Sequence, residues 1–124
     1  MEIREIFKCD ICGNVVELVQ AGAPALVCCG EDMKKLEAQT EDSSVEKHVP
    51  VVKENEGGIE VVVGSTLHPM EADHLIKFIE VLTEDKVLRA ELESGEEPKA
   101  SFNIDKSKVI EVREFCNVHG LWKA

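Results

Sequence analysis

The sequence lacks the features that would place it on nucleic acid, in a membrane or outside the cell. Basic residues are outnumbered, 14 Lys and Arg against 25 Asp and Glu, for a formal net charge of −11. A surface of that sign repels phosphates, which argues against nucleic acid as a partner. No apolar run approaches the length of a membrane span, so no membrane partner is expected. The N-terminus MEIREIFKCD carries acids among its first five residues and no apolar h-region. It therefore reads as lacking a signal peptide, and the expected location is cytoplasmic. Internal repeats and low-complexity tracts are absent, as is tyrosine.

What is present is the balance of a soluble globular protein, 44% hydrophobic and 31% charged in 124 residues. The chain divides near residue 37, giving expected domains at 1–37 and 38–124. The first has few large apolar residues, Ile3, Ile6, Phe7, Ile11, Leu18 and Leu26 among them, too few for stability without a staple. The polar, acid-rich EAQTEDSSVE then reads as a linker. From Val45 onward come short β-branched runs parted by turn signals: VPVVK, IEVVVGS, HLIKFIEVL, KVLRAELE, ASFNI and KVIEVREF. Six or seven strands at this spacing predict an all-β sandwich. The apolar positions of EADHLIKFIEVL also fit a short helix, but a strand after a turn at HPMEAD is the preferred reading.

Five cysteines, at 9, 12, 28, 29 and 116, are an odd number in a chain with no visible export signal. That favours metal ligation over a disulfide framework. Cys9-x-x-Cys12 followed by Cys28-Cys29 offers four thiolates to a tetrahedral zinc or iron. Adjacent residues of an extended chain point opposite ways, so Cys28 and Cys29 can share one ion only if the backbone between them is twisted. A zinc staple on these four cysteines is the plain alternative. A thioredoxin-like disulfide is less well supported, because no βαβ pattern surrounds the CxxC.

All four histidines, 48, 68, 74 and 119, follow the linker, and the fifth cysteine, Cys116, stands three residues before His119. A lone histidine is usually a satisfied core or surface imidazole; five metal-type residues in one domain are not. Pro69 biases His68 to an extended conformation, the turn after it presents His74, and CNVHG can bring Cys116 and His119 to one ion, with Gly120 free to take positive φ. Five donors are too many for a structural zinc. Iron accepts six, which leaves one position open. Ferrous iron with four neutral imidazoles and one thiolate carries net +1, a local attraction for a small anion on an acidic protein. A thiolate opposite the open position pushes electron density through the metal, which suits reduction of a bound dioxygen species.

At these residues the chain resembles the desulfoferrodoxins, the two-iron superoxide reductases. CDICGN, CCGEDM, EKHVPV, HPMEADH and EFCNVHGLWK, in this order, span essentially the whole chain. The resemblance implies a desulforedoxin-like N-terminal domain with one iron on Cys9, Cys12, Cys28 and Cys29. It also implies an immunoglobulin-like seven-stranded antiparallel β-sandwich with a second iron on equatorial His48, His68, His74 and His119 and axial Cys116. The implied reaction is one-electron reduction of superoxide to hydrogen peroxide without release of dioxygen, with rubredoxin as the usual electron donor and a homodimer as the usual assembly. Lys47 would attract superoxide and support protonation, and Glu46 would take the sixth position of the oxidised centre. If both act at that position, the segment before His48 is a mobile loop rather than a regular strand. The chain departs from the family in having Phe115 where tyrosine often precedes the axial cysteine, and Phe78 where an indole is frequent. Two other readings are a rubredoxin-like electron carrier with no superoxide chemistry and a zinc-stapled sandwich that binds a protein partner.

Overall fold

The computed structural model describes residues 1–22, 24–42, 47–64 and 68–124. They form two compact units, Met1–Glu37 and Ala38–Ala124. Both are built mainly of β-strands and turns, with one short 3-10 helix at Lys106–Lys108 among the described residues, and among those residues no helix is long and apolar enough to cross a membrane.

The first unit has a three-stranded antiparallel sheet in the order β2-β1-β5, from β1 (Ile6–Lys8), β2 (Val15–Glu17) and β5 (Lys34–Lys35). A two-residue hairpin joins β3 (Val27–Cys28) to β4 (Glu31–Asp32). Ile6, Phe7 and Cys9 are its buried apolar residues among those described, whereas Ile3, Ile11, Val16, Val19 and Val27 are exposed. Three buried side chains cannot offset the ordering entropy of such a unit. The shortage of core seen in the sequence is real.

The described residues of the second unit form a seven-stranded antiparallel sandwich. One sheet orders β10-β7-β6, from β6 (Pro50–Asn55), β7 (Gly58–Val63) and β10 (Lys99–Phe102). The other orders β12-β11-β8-β9, from β8 (Ile76–Leu82), β9 (Val87–Glu91), β11 (Glu111–Cys116) and β12 (Gly120–Lys123). Alternation selects the core: Ile59, Val61 and Val63 of β7 meet Ile79 and Val81 of β8, Val112 of β11 and Phe102 of β10 in one buried cluster. Of HLIKFIEVL, Ile76–Leu82 is a strand, because Ile79 and Val81 fill one face while Phe78 and Glu80 pair across the other with Phe115 and Arg113. Strand β12 lies beyond the runs read from the sequence.

The β6–β7 turn requires a glycine. A Cβ on Gly58 would stand 2.0 Å from the Phe102 carbonyl oxygen. Part of the expected linker also pairs with the edge of the sandwich. Gln39 pairs in parallel with Trp122 on the edge of β12, its N–H donating to the Leu121 carbonyl at 2.9 Å and its carbonyl accepting from Lys123 N–H at 2.9 Å. A polar segment can do this because an edge strand asks for backbone pairing, not for apolar side chains.

Candidate metal centres

In the first unit the four cysteines converge, with sulfurs within 4.8 Å of one another. Cys9 sits at the end of β1 and Cys12 in the turn after it; the Cys12 N–H donates to the Cys9 sulfur at 3.5 Å. Cys28 ends β3, and Cys29 follows with φ +54°, the left-handed twist that lets two adjacent side chains face the same point. Gly30 continues the bend at φ +79°. The Cys12–Cys28 and Cys28–Cys29 sulfur distances are 3.5 and 3.9 Å. Four sulfurs about 2.3 Å from a tetrahedral ion stand about 3.8 Å apart, so the spacing fits. The Cys9 thiol is drawn down to about 7, chiefly by the Cys12 N–H, while that of Cys29 is pushed up to about 12, chiefly by its hydrogen bond with Cys12. Crowded thiols cannot all ionise alone; a cation removes the conflict.

The second donor set lies at one end of the sandwich. His48 stands two residues before β6, whose first residue Pro50 pairs with Val63 at the end of β7. His68 and His74 lie between β7 and β8, Cys116 ends β11 opposite Ile76, and His119 occupies the turn into β12. Strand alternation is interrupted just there, by a register shift between Phe115 and Cys116. Such an irregularity re-aims a side chain next to a site.

The four imidazoles contact one another in a closed cycle. Ring centroids are 4.6 Å apart for His48–His68, 4.9 Å for His68–His74, 5.2 Å for His74–His119 and 4.8 Å for His119–His48, all edge-to-face. The Cys116 sulfur, fully buried, lies 3.6 Å from His68 Nε2 and 3.9 Å from His119 Nδ1. His48 Nε2 and His68 Nε2 are 3.0 Å apart. Two nitrogens bound at right angles about 2.1 Å from one ion would stand at that separation. His68 Nδ1 lies 2.6 Å from the Pro69 carbonyl; donating a proton there leaves Nε2 with its lone pair for a metal. The residues present therefore fit a five-donor ion.

Other side chains hold these donors, and sequence reading missed them. The Asp42 carboxylate accepts from the N–H groups of His48 and Val49 at 2.6 and 3.1 Å. The Trp122 ring stacks on His48 at 4.7 Å and 13°. Gln39 Nε2 donates to the His119 carbonyl at 2.9 Å. Glu114, two residues before Cys116, is fully buried, and neither carboxylate oxygen has a hydrogen-bond partner among the described residues. In the metal-free chain burial, and then the charge of Asp42, push its carboxyl up to about 9. Lys47 is half-buried in the segment entering His48; Glu46 lies outside the described residues.

The family model for desulfoferrodoxin matches residues 40–124, and that for the desulfoferrodoxin N-terminal domain matches residues 1–36. The chain belongs to the desulfoferrodoxin family. It is 47% identical to desulfoferrodoxin of Desulfarculus baarsii, over 99% of this chain and 97% of that one. With desulfoferrodoxin of Nitratidesulfovibrio vulgaris the identity is 48%, over 97% and 94%. Among solved structures, the superoxide reductase of Treponema pallidum superposes with a TM-score of 0.80 at 29% identity, covering 99% of this chain and 98% of that one. As in the family, the chain carries two iron centres, one for the four cysteines and one for the four histidines with Cys116.

Proposed function

We propose that the chain is a superoxide reductase, which adds one electron and two protons to superoxide to give hydrogen peroxide and releases no dioxygen. The observation that carries this reading is the closed cycle of four imidazoles over one buried cysteine sulfur. His48, His68, His74, His119 and Cys116 would hold a ferrous ion, which would supply the single electron and a place for the anion to bind. The protein buries the sulfur and leaves His119 exposed, which gives a small anion access to the donor set from solvent. An electron carrier alone would leave the second donor set without a role.

Lys47, next to His48, is the cation that attracts superoxide to this end of an otherwise acidic protein and supports delivery of protons. Glu46 would be the carboxylate ligand of the oxidised centre. Cys9, Cys12, Cys28 and Cys29 hold the first iron; His48, His68, His74, His119 and Cys116 hold the second. Rubredoxin or a similar carrier donates the electron. A homodimer is supported by the exposed apolar side chains of the first unit, Ile11, Val19 and Val27 among them. A cytoplasmic location suits five cysteines that carry no disulfide.

The test is metal analysis followed by pulse radiolysis of the reduced protein. About two irons per chain, the number that two separate donor sets require, and fast oxidation of the second centre by superoxide are expected. Lys47→Ala should slow the encounter and weaken its dependence on salt, because the steering charge is gone. A colourless protein with a single zinc would refute the function, and an unchanged rate and salt dependence would remove Lys47 from it.

A further inference from the structure

His74 is a donor that its own element secures only weakly. It sits half-exposed in a short turn, where its backbone pairs with Glu71 through bonds of 3.0 and 3.2 Å. It has neither the burial of His48, His68 and Cys116 nor a place on a long strand. One side chain brackets it. Asn117 Oδ1 accepts from the N–H of Leu75, the residue after His74, at 2.9 Å. Asn117 Nδ2 donates to the carbonyl of Asp73, the residue before it, at 3.1 Å. The Asn117 backbone N–H adds a third bond, to the Leu75 carbonyl, at 3.2 Å.

Asn117 stands between Cys116 and His119 on the other ligand-bearing turn. A single planar amide thus ties two turns that are more than forty residues apart in sequence. The chemistry needs an amide: one face must accept and the other donate, which a carboxylate or an alkyl group cannot do.

We propose that Asn117 is the positioning residue that fixes His74 relative to Cys116 and His119, and so governs how tightly the five-donor centre retains its metal. This rests on the donor set binding iron, as above, but not on superoxide being the substrate. A fixed fifth donor reaches the ion at no further ordering cost, whereas a wandering one must be ordered at binding. Outer partners of this kind typically change metal affinity by about 10–100-fold.

The test is a double-mutant cycle on the full chain, with apparent ferrous affinity read by competition with a chelator and the four-cysteine centre of the same chain as internal reference. Asn117→Ala is expected to weaken binding at the five-donor centre by about 10–100-fold and to leave the reference centre unchanged. In a His74→Ala background the same substitution should cost less than about 2-fold, because the residue through which it acts is already gone. Asn117→Ser, whose hydroxyl can retain one of the two bonds, gives the same pattern at smaller size if Asn117→Ala does not fold. Affinity within about 2-fold of the parent, even with a lowered unfolding midpoint of the metal-free chain, would overturn the proposal. So would a full, additive loss in the His74→Ala background. If the parent binds metal and the cycle behaves as expected but superoxide is not reduced, the function fails and the role of Asn117 stands.

Discussion

Removing the carboxylate of Glu80 should be the most damaging single change outside the metal sites. On the sheet face turned away from the apolar cluster, Arg113, Glu80 and Arg89 lie directly opposite one another across β11, β8 and β9. Arg113 Nε donates to Glu80 Oε1 at 2.7 Å and Arg89 Nε to Oε2 at 2.9 Å. The Glu80 side chain is 0% exposed and that of Arg113 6%, but that of Arg89 is 44%. The two bonds are therefore unequal. The bond to Arg89 is screened by water and contributes at most about 1 kcal/mol. Glu80→Ala leaves the Arg113 charge buried without this partner, a change that costs about 3–5 kcal/mol. Replacing both, as Glu80→Met with Arg113→Met, removes the desolvation of two charges together with their attraction and should cost less than about 1.5 kcal/mol. Equilibrium denaturation of the iron-loaded protein gives these values, with fluorescence of Trp122, the one tryptophan of the chain, reporting on the sandwich. A loss below about 1 kcal/mol for Glu80→Ala, or a double variant as unstable as the single one, would refute this account.

Three further outcomes are expected. Chelation of the first iron should abolish amide protection in residues 1–37, since so few of their apolar side chains are buried; hydrogen exchange with and without metal measures this. Gly58→Ala should destabilise the sandwich by about 2–3 kcal/mol, because the added Cβ meets a backbone oxygen that cannot swing aside; a denaturation midpoint equal to that of the parent would contradict it. In the metal-free chain, Glu114 keeps a proton up to about pH 9 that its unfolded form, with an ordinary value of 4.5, releases. The folded state therefore binds more protons between these limits, and its stability falls as pH rises, by up to about 4 kcal/mol from pH 5 to pH 8. Glu114→Gln, neutral throughout, should flatten that decline when midpoints are compared at the two pH values.

The sequence was most informative where periodicity and chemistry coincide. Alternation along IEVVV and KFIEVL marked strands whose inward residues do form the core, and the metal-type residues gathered as two sets because few other side chains have that chemistry. The twist demanded by Cys28-Cys29 was legible from covalent geometry alone, and it appears as positive φ at Cys29. Less legible were the groups that hold the donors. Gln39 and Asp42 belong to a polar stretch whose composition reads as linker, and their function depends on which backbone N–H and C=O groups lie opposite them in the fold. Asn117 stood inside a recognised motif, but its partners Asp73 and Leu75 are distant in sequence. Glu114 lies on the same inward face of β11 as Val112, and no feature of its local sequence marked it as a buried carboxyl.

The sandwich has two ends with different freedoms. Donor turns and the side chains that brace them crowd one end, while the Glu56-Gly57 turn between β6 and β7 lies at the other, about 20 Å of strand away. A reporter dye, an affinity handle or a surface tether placed at Glu56 would sit a strand's length from the iron and its immediate supports. The protein could then be wired to an electrode or followed by fluorescence without rebuilding its chemistry.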